Sequence, residues 1–272
     1  MINKDNKKEV DVTEVKRVID KQRNYPIYKA NDIIQRARYD LNITELKTFA
    51  FILSKIKPDD KFGQEYSFSI KEYCQICGLD YKNGGNYKHI KDILKSLRDK
   101  SFWLITSEGK ETTIGWLAKV TTDRRNGNVA VKLDEDIQKY VIGLKGTNNF
   151  TQYNLISTLP MKSSYSFRIY ELLKSYAYIN EYRFDIDDLK SKLAATNYVN
   201  FKDFRKKVIE IAIKEINEYT DIHVTWNSIT KGKKVIAIEF KIETLDGLKR
   251  YYTGKQATSQ IEGQINIEDY YK

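Results

Sequence analysis

Two hydrophobic periods alternate along this chain. Apolar residues recur at helical spacing through Thr44–Ile56, Lys71–Gly78, Asn86–Lys95, Ser164–Tyr178, Asp187–Ala195 and Phe201–Thr220. Short stretches of strand character lie between them: Tyr66–Ile70, Phe102–Thr106, Thr113–Thr122, Asn128–Leu133, Tyr182–Ile186, Ile222–Asn227 and Val235–Glu243. Turns are expected at Ser107–Lys110, Asp123–Gly127 and Thr230–Lys234, and the Asn126-Gly127 pair is a strong hairpin signal. Residues 1–24 are charged, with only Val12, Val15, Val18 and Ile19 in an apolar pattern, so a frayed helix and a disordered arm are both open. From about Arg250 the chain turns polar again.

The elements occur twice. Tyr66-Ser-Phe-Ser-Ile70 and Tyr182-Arg-Phe-Asp-Ile186 share Tyr-x-Phe-x-Ile. Asn86-Tyr-Lys-His-Ile-Lys-Asp-Ile-Leu-Lys95 and Asn197-Tyr-Val-Asn-Phe-Lys-Asp-Phe-Arg-Lys206 share a longer motif downstream. The spacing differs across Asp80–Gly85, where Asn83-Gly84-Gly85 marks a loop that tolerates length change. Each unit therefore reads helix, short strand, helix, turn, longer helix and strand pair. In the first, Phe102–Thr106 is expected to pair with Thr113–Thr122; in the second, Ile222–Asn227 with Val235–Glu243. Helices closed by a hairpin are the pattern of a winged helix. The expected class is α+β, with two tandem winged-helix (helix-turn-helix) domains related by internal duplication. The divisions are a charged N-terminal arm at 1–24, the first winged helix at 25–145, the second at 150–248 and a polar C-terminal tail at 249–272, with the junction near Gly143–Asn154.

Composition adds a partner class. The 272 residues suit two domains of ordinary size, and 47 Lys+Arg against 37 Asp+Glu leave a net charge of +10. Such a surplus favours a polyanion, nucleic acid first. No run of 18 apolar residues exists to span a bilayer. Met1–Lys8 is polar with no apolar run behind it, so no secretion signal and a cytoplasmic location are expected. Two cysteines do not form a disulfide framework.

Phe201–Thr220 carries the sharpest candidate. Phe201, Phe204, Val208, Ala212, Ile216 and Tyr219 share one side of a helical wheel, with Lys202, Lys206 and Lys207 opposite and Arg205 at the border. A recognition helix needs this division, an apolar back and a polar front whose first turns enter the major groove. A solvated helix with ordinary surface lysines is the other reading. The first unit's counterpart sets Lys88, Lys91 and Lys95 opposite Ile90, Ile93, Leu94 and Leu97, and lacks an early arginine, which favours backbone contact over base reading. Lys231, Lys233 and Lys234 around Gly232, and Arg124 with Arg125, suit wings lying along phosphates.

Enzymatic patterns are sparse. Cys74-x-x-Cys77 has no second half and reads as core-facing rather than metal-binding. The two histidines, His89 and His223, are far apart, whereas a rolling-circle nickase wants a His-x-His pair beside a tyrosine. No GxxxxGK[ST] loop occurs. Asp185, Asp187 and Asp188 stand at a helix start, where negative charge is stabilising. A non-enzyme without metal or cofactor is expected.

Taken together, these residues resemble the iteron-binding initiator replication proteins of plasmids, the RepE/RepA type. The similarity lies in Lys29–Lys47, an asparagine-led helix followed by a Leu-x-x-x-Glu helix, and in Phe201-x-x-Phe204-Arg-Lys-Lys-Val208 with Glu215-Ile-Asn217 and Thr220-Asp221. It covers roughly residues 25–245. The resemblance implies a monomer that grips direct repeats of double-stranded origin DNA with both winged helices. It also implies a homodimer, joined mainly through the first domain, that represses its own gene. Arg205, Lys206 and Lys207 match the family's basic cluster, and the first domain's helix and wings match positions that mostly touch backbone. Such a protein opens or marks the origin and recruits host replication initiator and helicase proteins. A two-winged-helix transcriptional repressor and a nickase are the competing readings.

Overall fold

The computed structural model describes residues 12–57, 59–79, 85–106, 108–144, 147 and 149–262. Local chemistry sets most element starts. Asn42 opens α3 (Ile43–Leu53) with a capping box: its side-chain oxygen accepts from Glu45 N at 2.9 Å, and its own N–H donates to Glu45 Oε2 at 2.8 Å. Ser69 ends β3 (Glu65–Ser69) and caps α4 (Ile70–Cys77), which stops at Gly78 in the left-handed region. Asp185 ends β9 (Glu181–Asp185) and caps α8 (Ile186–Lys192), accepting from the amides of Asp187 and Asp188. The aspartates at this helix start therefore have a structural role.

The duplication is visible in the sheets. In the first unit α3, β3 and α4 precede α5 (Gly85–Asp99) and the hairpin of β6 (Leu117–Asp123) with β7 (Asn128–Leu133); the strands order β3-β7-β6. In the second, α7 (Ser164–Ser175), β9 and α8 precede one long helix and the hairpin of β10 (Ile222–Lys231) with β11 (Lys234–Thr244); the order β9-β11-β10 is the same. The long helix is α9 (Phe201–Phe204), a π turn over Arg205–Ile209 and α10 (Glu210–Tyr219). Two tandem winged helices of α+β class result. The sequence loop at Asp80–Gly84 lies outside the described residues, as does Ser107.

One strand expectation is corrected. Thr113–Thr122 is not a single strand: it breaks at Trp116 into β5 (Glu111–Gly115) and β6. The Trp116 ring is buried edge-on against Tyr39 at 4.8 Å and Phe49 at 4.9 Å, so the chain turns there to deliver it to the core. β5 pairs with β4 (Ser101–Ile105), which pairs in turn with β2 (Ala37–Arg38) in a separate sheet. The hairpin equivalent to β10–β11 is thus β6–β7, and β4–β5 is an addition of the first unit. The second hairpin is also longer than read, leaving only Gly232 and Lys233 between its strands.

The units share one continuous hydrophobic core. β1 (Pro26–Ala30), at the start of the first, pairs antiparallel with β8 (Phe150–Asn154), which leads into the second and which hydrophobic patterning did not single out. Behind that pair, Lys29 Nζ lies 2.8 Å from Glu171 Oε1 and Tyr153 donates to the same oxygen at 2.6 Å. Arg168 Nη1 reaches Glu171 Oε2 at 3.2 Å, while its guanidinium covers the Tyr39 ring at 4.0 Å and donates to Ile34 O. All three charged side chains are buried. α2 (Asn31–Arg36) and α3 both pack on α7, while α6 (Glu135–Gln138) closes the first unit beyond β7.

The first and last helices of the described range meet at α4. Of the N-terminal arm, α1 (Val12–Arg23) is helical; Arg23 is buried and donates to Ile76 O at 3.0 Å and Gln75 O at 3.2 Å. The segment read as a polar tail forms α11 (Gly247–Glu262), because Ala257 and Ile261 on one side find cover in the core. Ile261 sits so close to Gly78 that a Cβ there would stand 2.6 Å from Ile261 Cγ2. Residues 1–11 and 263–272 lie outside the described range. No helix among the described residues is long and apolar enough to cross a membrane.

Candidate nucleic-acid interface

The second unit's long helix starts abruptly. Asn200 Oδ1 accepts from Asp203 N at 2.8 Å, and Asn200 Nδ2 donates to Asp203 Oδ2 at 2.7 Å, so the turn before Phe201 is held from both sides. Phe204, Val208, Ala212 and Ile216 are fully buried and Phe201 partly so, as the wheel expects. Ile209 and Ile213 are buried as well, which a straight α-helix does not explain. The π turn inserts the extra residue that brings Val208 and Ile209 inward together while Lys206 and Lys207 both stay in solvent. Lys202 is exposed one turn earlier. Arg205 is at the border as read, 41% exposed, with Nε 3.2 Å from Glu210 Oε1 across the π turn.

The hairpin is fastened to this helix by side chains whose role the sequence did not disclose. Asn217 Oδ1 accepts from Val224 N at 2.7 Å and Asn217 Nδ2 donates to Val224 O at 3.0 Å, locking α10 to β10. Asp221 accepts from Tyr170 Oη at 2.8 Å and Lys174 Nζ at 2.7 Å, tying the strand entry to α7. Glu215 accepts from the amides of Lys162 and Ser163, at the start of α7. The Glu-Ile-Asn and Thr-Asp positions are therefore positioning residues. Their spacing was visible; Glu215 and Asp221 bond residues of the α7 region far back in the sequence, while Asn217 reaches Val224 just beyond the helix end. At the hairpin tip Lys231, Lys233 and Lys234 are exposed around Gly232, whose φ of +63° suits glycine.

The first unit offers the equivalent pieces. On α5, Lys88, Lys91 and Lys95 are exposed while Ile90, Ile93, Leu94 and Leu97 are buried. Lys91 Nζ lies 5.8 Å from the Tyr87 ring centroid, and Lys95 pairs with Asp99 one turn on. Arg124 and Arg125 occupy the tip of β6–β7, where Asp123 Oδ1 accepts from Arg125 N at 2.8 Å and Gly127 takes φ +68°. Since β6–β7 matches β10–β11, these arginines stand where the second unit carries Lys231–Lys234. Among the described residues no ion pair engages Lys88, Lys202, Lys206, Lys207, Lys231, Lys233, Lys234, Arg124 or Arg125. They are available to an anionic partner.

The two cysteines face inward on α4. Burial pushes the Cys77 thiol up to about 12, despite the nearby Lys47, and Cys74 is fully enclosed. No group of three or more acidic, histidine or cysteine side chains able to hold a metal occurs among the described residues.

A tandem winged-helix protein, cationic on both long helices and both hairpin tips, is the class these elements define. The family model described as initiator replication protein WH1 matches residues 26–174, and that described as initiator Rep protein WH2 matches residues 185–242. The chain belongs to the initiator replication protein family. Among solved structures, the crystal structure of Pi initiator protein in complex with iteron DNA is similar, with a TM-score of 0.67 at 20% identity, over 82% of this chain and 98% of that one. The WH1 domain of MSBI1.176, a replication protein isolated from a multiple sclerosis patient, covers 34% of this chain and 72% of its own at 16% identity and a TM-score of 0.27.

Proposed function

We propose that this chain is a plasmid replication initiator that binds repeated origin DNA, the iterons, sequence-specifically through its two winged helices. The observation that carries the reading is the double occurrence of one module with unpaired cations on its long helix and hairpin tip, in a chain of the initiator family whose fold matches a protein solved on iteron DNA. In this reading Arg205, Lys206, Lys207 and Lys202 enter the major groove, and Lys231, Lys233 and Lys234 flank it on phosphates. Lys88, Lys91, Lys95, Arg124 and Arg125 hold the backbone at the neighbouring groove.

The protein acts by binding and distorting DNA, without catalysis. It helps open the origin, recruits the host's replication initiator and helicase in the cytoplasm, and as a homodimer represses its own gene. A test of maintenance separates this from a repressor: a plasmid carrying only the gene and its upstream repeats replicates if the reading holds. Supercoiled origin DNA incubated with the protein and Mg²⁺ stays supercoiled, whereas a nickase would relax it.

Arg205→Ala with Lys206→Ala is expected to remove discrimination between repeat and random duplex while leaving the thermal melt unchanged. A good arginine–guanine pair contributes about 1–3 kcal/mol of that discrimination. Unaltered discrimination in competition binding contradicts the assignment.

A further inference from the structure

The residue before the Asn200 cap is out of place for a folded core. Val199 is 90% exposed, the most exposed of the large apolar side chains among the described residues. Its backbone is pinned on both sides. Tyr198 N donates to Ala195 O at 3.2 Å, Tyr198 O accepts from Lys190 Nζ at 2.6 Å, and the next residue is the capping Asn200. The Tyr198 ring packs beneath, 6.1 Å from Tyr165 and 6.3 Å from Phe204. A β-branched side chain has little rotamer freedom to lose. Val199 is thus a rigid apolar knob held in water just ahead of the first turn of the long helix.

Position gives the knob a partner. The N-terminal end of a recognition helix is the part that contacts base edges in the major groove, and there one base edge presents an apolar group, the 5-methyl of thymine. The duplicated motif supplies an internal contrast, since Asn86-Tyr87-Lys88 aligns with Asn197-Tyr198-Val199. In the first unit α5 begins at Gly85, so Lys88 lies within its first turn as an exposed cation. In the second, the helix begins only at Phe201, and the same motif position projects ahead of it with no charge. The first unit's residue suits a phosphate and the second's does not.

We propose that Val199 is a specificity-determining residue that reads a thymine 5-methyl group in the major groove. The proposal rests on the DNA-binding reading above and adds the base class taken by one side chain.

The test uses the full chain and a duplex that it enriches from a random pool, with each thymine replaced singly by deoxyuridine. The wild-type chain is expected to lose about fourfold in affinity at one thymine, the worth of one buried methyl. Val199→Ser, which keeps the fold because the side chain is exposed, is expected to bind the thymine and uracil duplexes equally at that position. A check by circular dichroism and thermal melting confirms the fold. Indifference of the wild type to uracil everywhere, or a uracil penalty that persists in Val199→Ser, overturns the proposal. If enrichment and the Arg205/Lys206 dependence survive in that case, the DNA-binding reading still stands. Failure to enrich any duplex contradicts that reading and this one with it.

Discussion

Arg205 shows what one position does when a module is copied and diverges. Its counterpart in the duplicated motif is Leu94, fully buried on α5, whereas Arg205 stands half in solvent and leans on Glu210. The two are five residues apart, a separation that brings side chains together only where the helix widens to a π turn. The residue type was legible in the sequence; its ion pair was not, because an α-helical wheel puts positions 205 and 210 on different faces. In the proposed interface Glu210 therefore competes with DNA for the guanidinium. Glu210→Gln is expected to tighten binding to the repeat more than to random duplex, by up to about fivefold, since an exposed pair contributes roughly 0–1 kcal/mol. Fluorescence anisotropy at fixed salt measures it. Weaker binding would show that Glu210 positions Arg205 instead of restraining it.

At the scale of elements, what local chemistry determines was readable and what tertiary packing determines was not. The helix start at Asp185 follows from short-range hydrogen bonding, and the strands at Tyr66 and Tyr182 recur as the repeated motif demands. The break at Trp116 does not show in the alternation of Thr113–Thr122, because it answers a need to bury an indole against Tyr39 and Phe49. β8 was missed for a related reason: its partner β1 is far away in sequence. The lysines of the candidate site were all visible as charges on turns and helix fronts, but Asn217 and Asp221, which hold the hairpin in place, had no local signature. The cap at Asn200 is the element most directly tied to the proposed interface. Asn200→Ala is expected to cost about 1 kcal/mol in chemical denaturation and to weaken repeat binding more than random binding. An equal loss on both duplexes would show that the helix start matters to folding alone.

For the molecule as a whole, segments far apart in sequence are joined by β1–β8 pairing and a buried charge cluster. Glu171 faces Lys29 on β1 and Arg168 one turn away on its own helix, α7, with all three buried and all within the WH1 match over residues 26–174. Burial alone would raise the Glu171 carboxyl, but the two cations and the Tyr153 hydroxyl overcome it and hold it below the usual range. Its contribution is complete above the unfolded value of about 4.3 and is lost as the pH falls through the lower folded value. Glu171→Ala strands two buried cations and is expected to cost about 3–5 kcal/mol in urea denaturation at pH 7. A loss below about 1 kcal/mol would mean that the cations reach water once the carboxylate is gone. α11 adds a further contact, from beyond both family matches, at Gly78 on α4.

In the proposed reading one DNA-reading module occurs twice and both copies engage the same repeat. Hydroxyl-radical footprinting of the full chain on its upstream repeats tests it most directly. Two protected blocks per repeat, about 10 base pairs apart, are expected; both fade in Arg205→Ala/Lys206→Ala, which no longer distinguishes the repeat, whereas only one vanishes in Lys88→Ala/Arg124→Ala/Arg125→Ala. A single block, lost with the first variant and untouched by the second, would contradict the account.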